Sequence, residues 1–304
     1  MTVPTRAPFG GVAVSASAAA GRDILQPPHR RSAMHSFALI ASFALIQISA
    51  PAADSAGLIE DVRALASART NEARFDALTA MLRARNLTFA VESFTLPKPI
   101  RDESRTEGRN VVVTIGEGPQ EIVVGAHYDA ERLQDGTLSQ GAVDNGASSV
   151  ILVRVAEALR QRPPSIRVKV VWFDMEELGL LGSTNYLNSH AANPPAGMLN
   201  FDVNGYGDTV LFGPHQPRNQ GLRDAVAQTC VEQRRECVSF PQMPPGDDRS
   251  FSKADIPTVS IAVLPALEVH QLWLVMNAKE SGLAQGYLPA ILRTIHTQRT
   301  RQRS

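Results

Sequence analysis

Cysteine is scarce in this sequence: 304 residues carry two, Cys230 and Cys237. So few thiols exclude a thiolate-rich metal cluster or a disulfide-framed miniprotein. The pair, seven positions apart, suits a short-loop disulfide in an oxidising compartment. Two thiolates without nearby histidines make a poor metal site, and two free thiols are the remaining alternative. Net charge is missing as well, with 30 basic residues against 30 acidic. Without a basic field to attract nucleic acid or an anionic membrane, a small or peptide-like partner is expected. Neither a Gly-x-Ser-x-Gly nor an Asp-Phe-Gly element occurs, which leaves a serine hydrolase with little support.

The apolar run Phe37–Ser49 is too short to span a bilayer. Arg30, Arg31 and His35 precede it, and Ala50-Pro51-Ala52 follows as a small-x-small cleavage site, so the run reads as a secretory signal peptide. A buried helix or a membrane anchor is the alternative. The expected division is a leader and signal over 1–52 and a single domain over 53–304, with Met34 as a natural start of the signal. Residues 1–33 then form an upstream extension or a disordered leader. The expected location is periplasmic or secreted, with no membrane anchor left after cleavage. Arg30-Arg31 admits a twin-arginine export route only weakly.

Apolar residues make up 43% of the chain, enough for a sizeable core. Leu58–Leu65 and Phe75–Leu82 carry them at helical spacing, whereas Thr88–Leu96 and Asn110–Ile115 alternate as strands do. From there strand, loop and helix repeat: EIVVGAHYD, NGASSVILVRVAEALRQ, IRVKVVWFD, and a helix through GLLGSTNYLNS. Further strands are expected at Met198–Val203, Thr209–Gly213 and Thr258–Leu264. This alternation predicts an α/β fold with helices on both faces of a largely parallel sheet. The stretch PQMPPGDD marks a long loop near whatever site the sheet makes.

Ligands of open α/β sheets collect beyond the carboxyl ends of the strands. Polar residues stand there: His127 and Asp129 after EIVVGA, Glu176 and Glu177 after IRVKVVWFD, Asp202 after MLNF, and Asp144 at the opening of a helix. Each has a plain explanation. Asp144 caps a helix, the glutamates favour a helix start, and a lone histidine is usually a hydrogen-bonded core residue. Together the plain readings weaken, because clustered carboxylates repel unless a cation neutralises them. Carboxylates plus imidazole without thiolate suit zinc in a catalytic setting, or manganese and cobalt.

GAHYDA, GAVDNGASSVILVRVAEAL, VVWFDMEELGLLGSTNYL, NFDVNG and IHT, in this order, resemble the secreted di-zinc aminopeptidases, a group that also holds glutamate carboxypeptidase-like and glutaminyl cyclase-like members. The resemblance implies a three-layer α/β sandwich around a mixed, mainly parallel sheet of the zinc-exopeptidase type. It implies two Zn2+ ions, with Mn2+ or Co2+ as substitutes, and a peptide or aminoacyl-amide substrate. Asp144 would bridge the ions, His127 and Asp202 would complete one site, and Glu177 with a late histidine the other. Glu176 would be the general base and acid, with Asp129 orienting His127. A non-proline cis peptide would follow Asp144. The alternatives are a single-zinc glutaminyl cyclase-like acyltransferase and an inactive binding homologue.

Two places depart from the family pattern. Gly246-Asp247-Asp248 stands before Phe251 where many members have Ser-Asp-His. The late histidine is read as His296, whose Ile-His-Thr context fits better than that of His270, among apolar residues and Trp273. His190 reads as a helix-end residue and His215 as a turn residue. After Thr297 the family continues Pro-x-Asp-Thr into a helix, while this chain reads Gln298-Arg299-Thr300-Arg301. Deleting one nucleotide from codons for His-Thr-Pro-Ala-Asp-Thr yields His-Thr-Gln-Arg-Thr-Arg. The expectation is therefore a frameshift that truncates the domain just after its last ligand, and a solvated basic tail is the alternative.

Overall fold

A computed structural model describes residues 55–100, 105–216, 220–235 and 237–280. The signal segment, His296 and the arginines after it lie outside the described residues. Two helices come first, α1 (Ser55–Ala66) and α2 (Asn71–Ala84). The Thr70 hydroxyl caps α2 by accepting from the Ala73 N–H at 3.1 Å. Strands β1 (Ala90–Thr95), β2 (Glu107–Ile115) and β3 (Glu121–His127) follow, then an irregular turn, Ala142–Gly146, that leads into α3 (Ala147–Gln161). The remainder alternates: β4 (Arg167–Phe173), α4 (Leu181–Ser189), β5 (Gly197–Phe201), β6 (Thr209–Gly213), α5 (Gln220–Glu232), β7 (Cys237–Ser239), α6 (Asp248–Lys253), β8 (Thr258–Leu264) and α7 (Ala266–Glu280).

The eight strands form one sheet in the order β1-β2-β4-β3-β5-β8-β6-β7. β3 pairs in parallel with β4 and β5, and β5 with β8, so the middle of the sheet is parallel. Antiparallel pairs flank it, β1 with β2, β2 with β4, and β6 with β8. The sheet is mixed, as expected. Its central strands carry almost unbroken apolar runs because both faces are covered.

Strand pleat divides the core into layers. Val111, Val113, Ile122, Val124, Val168, Val170, Trp172, Leu199 and Val259 point to one face, where they pack with Leu78 and Leu82 of α2, Leu152 and Val155 of α3, and Val226 of α5. Their neighbours Val112, Val123, Val171, Phe173 and Met198 point the other way, onto Tyr186 of α4 and Phe251 of α6. A third cluster at the far end of the sheet joins Leu211, Ala262 and Leu264 to Phe240, Met243, and Val269 and Leu272 of α7. Helices on both faces of one sheet make a three-layer α/β sandwich.

A disulfide joins Cys230 at the end of α5 to Cys237 at the start of β7. Helices α5, α6 and α7 and strand β7 are not foreseen from periodicity. The α7 segment carries apolar residues on several sides, which hides a helical stripe. Among the described residues no helix is long and apolar enough to cross a membrane.

Leu199, fully buried on the central strand β5, tests how closely the core supports the sheet. Leu199→Ala is expected to cost about 2–5 kcal/mol, read as a lower denaturant midpoint with an unchanged m-value.

Candidate metal centre

The parallel strands β3, β4 and β5 end at the same edge of the sheet, and the acidic residues stand just past those ends. His127 is the last residue of β3 and is 2% exposed. Its Nε2 lies 3.2 Å from Asp144 Oδ1, 3.7 Å from Asp202 Oδ1 and 4.0 Å from Glu176 Oε2. Its Nδ1 faces Asp129, 3.2 Å from the carbonyl and 3.4 Å from Oδ1. Donor atoms of His127, Asp144 and Glu177 all lie within 4.8 Å of one another, close enough to share a cation.

Local structure explains how the chain brings these groups together. Asp129 is buried, and its two carboxylate oxygens accept the Glu176 and Glu177 N–H groups at 3.1 and 3.2 Å. It thereby fixes the turn that presents both glutamates. Asp174, at the foot of that turn, is gripped by both terminal nitrogens of Arg105 at 2.8 and 2.9 Å and by the Arg109 and Met175 N–H groups at 2.9 Å each. Met175, Leu180 and Val203 all have positive φ, the first two on either side of the glutamates and the third beside Asp202. Each such residue costs about 1–3 kcal/mol, which the surrounding packing has to supply. Gly182 in the same segment has to be glycine, since a Cβ there would lie 2.3 Å from the Asp174 carbonyl oxygen. The Asp144-Asn145 peptide is cis, and the Asn145 amide donates to the Phe201 carbonyl at 2.9 Å, which ties the Asp144 turn to the end of β5.

The loop that departs from the family pattern closes the site from behind. Asp247 and Asp248 are both buried, at 1% and 0% exposure. Neither Asp247 oxygen nor Asp248 Oδ2 has a well-formed hydrogen bond among the described residues, though the Ser183 and Ser260 hydroxyls lie near Asp247 and Asp248. A Cβ at Gly246 would stand 2.8 Å from Asp202 Oδ2 and displace that carboxylate. The sequence marks PQMPPGDD only as a loop near the site, so the burial of these two aspartates against the cluster carries no advance signal. His190 is the C-cap of α4, and His270 is exposed on α7.

Burial and crowding favour the protonated form of four of these carboxyls. Burial raises the Glu176 carboxyl to about 10; His127 opposes this, while Asp247, Asp202 and Asp129 add to it. Burial and Asp144 push Glu177 up to about 8. Asp247 and Asp248 rise to about 7, again chiefly by burial. Burial disfavours charge on His127, but Glu176, Asp129, Asp144 and Asp202 outweigh it and hold the imidazole well above its ordinary pKa.

The donor set fits a borderline or hard divalent cation, being one imidazole and several carboxylates without sulfur. Asp202 Oδ1 is buried and accepts no hydrogen bond among the described residues, as a ligand oxygen turned towards an ion would be. The cluster lines a pocket of about 370 Å³, whose apolar lining includes Val203, Leu211, Met243, Leu264 and Leu272.

A carboxyl with a higher pKa folded than unfolded favours the folded state while protonated and loses that advantage as pH rises towards its folded value. For Glu177, Asp247 and Asp248 the window runs from roughly 4 in the unfolded chain to about 7–8 in the folded one. The unfolding midpoint of chelated protein is therefore expected to fall between pH 5 and pH 8. Added Zn2+, displacing those protons, should raise it more at pH 8 than at pH 5. Thermal scans at the two pH values check this, and an equal or larger zinc effect at pH 5 contradicts it.

Comparison with known proteins bears on the same residues. The model of Peptidase family M28 matches residues 110–287, more than half of the chain. Aminopeptidase YwaD of Bacillus subtilis is 36% identical over 70 residues, which are 23% of this chain and 14% of that protein. An aminopeptidase of Pseudomonas aeruginosa is 36% identical over 117 residues, 36% of this chain and 21% of that protein. The chain thus matches well under two thirds of the length of these curated relatives. Among solved structures, the LapA aminopeptidase of Legionella pneumophila has a TM-score of 0.53 at 15% identity, over 80% of this chain and 66% of that one. A glutaminyl cyclase from an Acidobacteriales bacterium gives 0.55 at 17%, over 81% and 83%. At these identities the two structures share the fold. The family match opens at Asn110, whose amide donates to Gly182 beneath the glutamate turn, and runs through every acidic residue of the cluster: this chain belongs to Peptidase family M28.

Proposed function

We propose that the chain is an exported, zinc-dependent aminopeptidase that removes amino-terminal residues from peptides. One observation carries the reading: a buried imidazole ringed by carboxylates at the carboxyl edge of the sheet, with an orphaned oxygen on Asp202. Membership of a peptidase family and the aminopeptidase relatives support it. The Cys230–Cys237 disulfide supports an oxidising compartment, periplasmic or secreted.

In this reading His127, Asp144, Glu177, Asp202 and His296 would hold two zinc ions, with Mn2+ or Co2+ as substitutes. The exposure of His270 on α7 favours His296 as the late ligand. Two such ions, when bound, polarise the scissile carbonyl and make water more acidic. Glu176 takes a proton from the attacking water at a carboxylate oxygen and delivers it to the leaving amine. Position supports this role, since Glu176 Oε2 stands 4.0 Å from His127 Nε2, beside the residues that would hold the ions. Asp129 holds Glu176 in place through its backbone and orients His127 through Nδ1. The apolar wall of the pocket receives the side chain of the residue being removed.

Glu176→Gln is expected to lower kcat on amino-acid anilides by about 10²–10⁴-fold while zinc content stays at the wild-type value. Full activity in that variant with metal bound contradicts the assignment. His296→Ala should reduce the zinc held per chain and His270→Ala should not, as measured by atomic absorption. Cyclisation of amino-terminal glutamine in place of anilide hydrolysis would identify an acyltransferase instead.

A further inference from the structure

Arg74 is a fully buried arginine on α2, well before the segment that carries the acidic cluster. Its guanidinium donates to four main-chain carbonyls. Nε reaches Tyr128 at 2.5 Å, Nη1 reaches Gln140 at 2.9 Å and Leu65 at 3.2 Å, and Nη2 reaches Gly141 at 3.2 Å. Tyr128 lies between His127 and Asp129, and Gly141 begins the turn that delivers Asp144. One side chain therefore holds both ends of the excursion that separates the imidazole from the carboxylate facing it. Asn71, one turn earlier on α2, holds the same loop at Ala130: its Oδ1 accepts the Ala130 N–H at 2.9 Å and its Nδ2 donates to the Ala130 carbonyl at 3.2 Å.

Packing alone does not call for a cation at this position. A methionine fills a similar volume without the desolvation penalty of a buried guanidinium, which here is large enough to lower the pKa of Arg74 to about 10. The charge is balanced at longer range by Asp129, Asp144 and Glu177. Arginine offers five donors in a planar fork, which suits several carbonyls at once, whereas lysine offers a single rotatable point of charge. Gly141 completes the arrangement. Its φ is +52°, its carbonyl also accepts the Gly146 N–H at 2.8 Å, and a Cβ there would lie 2.7 Å from the Asp144 carbonyl oxygen.

We propose that Arg74, assisted by Asn71, is a positioning residue that sets the separation of His127 and Asp144 and so assembles the acidic cluster before a cation arrives. The inference rests on the metal-centre reading only for what the cluster binds; the clamp itself is a matter of loop geometry. The test uses the full chain with Arg74→Lys, Arg74→Met and Asn71→Ala, each checked by circular dichroism and studied below its unfolding midpoint. Amide exchange is expected to speed up over residues 128–146 and stay at the wild-type rate in β6. Zinc affinity, titrated calorimetrically into folded apoprotein, is expected to fall at least tenfold in both Arg74 variants, lysine included, and by less in Asn71→Ala. A residue that merely fills the core would lower the unfolding midpoint and leave the affinity of the folded protein unchanged. Wild-type exchange and affinity in both Arg74 variants would overturn the proposal. Should the wild type itself take up no zinc, the metal-centre reading falls, and exchange over 128–146 alone decides the clamp.

Discussion

Repulsion among half-buried carboxylates is the constraint around which this molecule is organised. Asp144, Glu176 and Asp202 approach the single imidazole of His127 within 4.0 Å, with Glu177 alongside and Asp247 and Asp248 sealed behind them. Left alone such groups would separate or draw in water. They stay together because each is carried by backbone that something else holds. Asp129 accepts from the glutamate turn, Arg105 grips Asp174 beneath it, Asn145 binds the end of β5, and Arg74 binds the loop after β3. The free energy for this comes from the apolar layers on both faces of the sheet, where burial of each large side chain contributes about 1.5–3 kcal/mol.

The same constraint accounts for the left-handed backbone at the site, while Asn86, Arg234 and Asp255 adopt positive φ at turns elsewhere. The left-handed residues Met175, Leu180 and Val203 lie next to the glutamates and Asp202, where strands stop and the chain has to turn its acids inward. A regular helix start would have spread those side chains around an axis. Strain at the end of a parallel sheet is tolerable because the strands beneath it are clamped on both sides by hydrogen bonds and on both faces by helices. Acids that hold protons when crowded are also primed to exchange them for a divalent cation, which links fold energetics to the chemistry proposed.

Much of this was legible in the sequence, for identifiable reasons. EIVVGAH and RVKVVWF are read as buried strands because their apolar runs are short and bounded by polar residues, and they are β3 and β4. The positions just past those runs are where a parallel sheet presents its ligands, which singles out His127, Glu176, Glu177 and Asp202. Asp247 and Asp248 were visible only as part of a loop expected near the site and as a departure from the family pattern, since nothing local marks two loop aspartates as buried. Arg74 gave no signal at all, and Asp174 only a place in the VVWFDMEEL stretch. An arginine on an amphipathic helix reads as solvated, and its partner Tyr128 is 54 residues away; Arg105 is 69 residues from Asp174.

By itself the sequence determined the α/β class, the central strands and the identity of the acidic residues at their ends, because these follow from local periodicity and from side-chain chemistry in fixed order. Tertiary structure decided the rest: the antiparallel flanks of the sheet, the burial of Asp247 and Asp248, and the clamp of α2 on the loop between His127 and Asp144. Those depend on which distant segments touch, and hydrogen bonds from a buried guanidinium to main-chain carbonyls leave no trace in the identity of the residues that accept them.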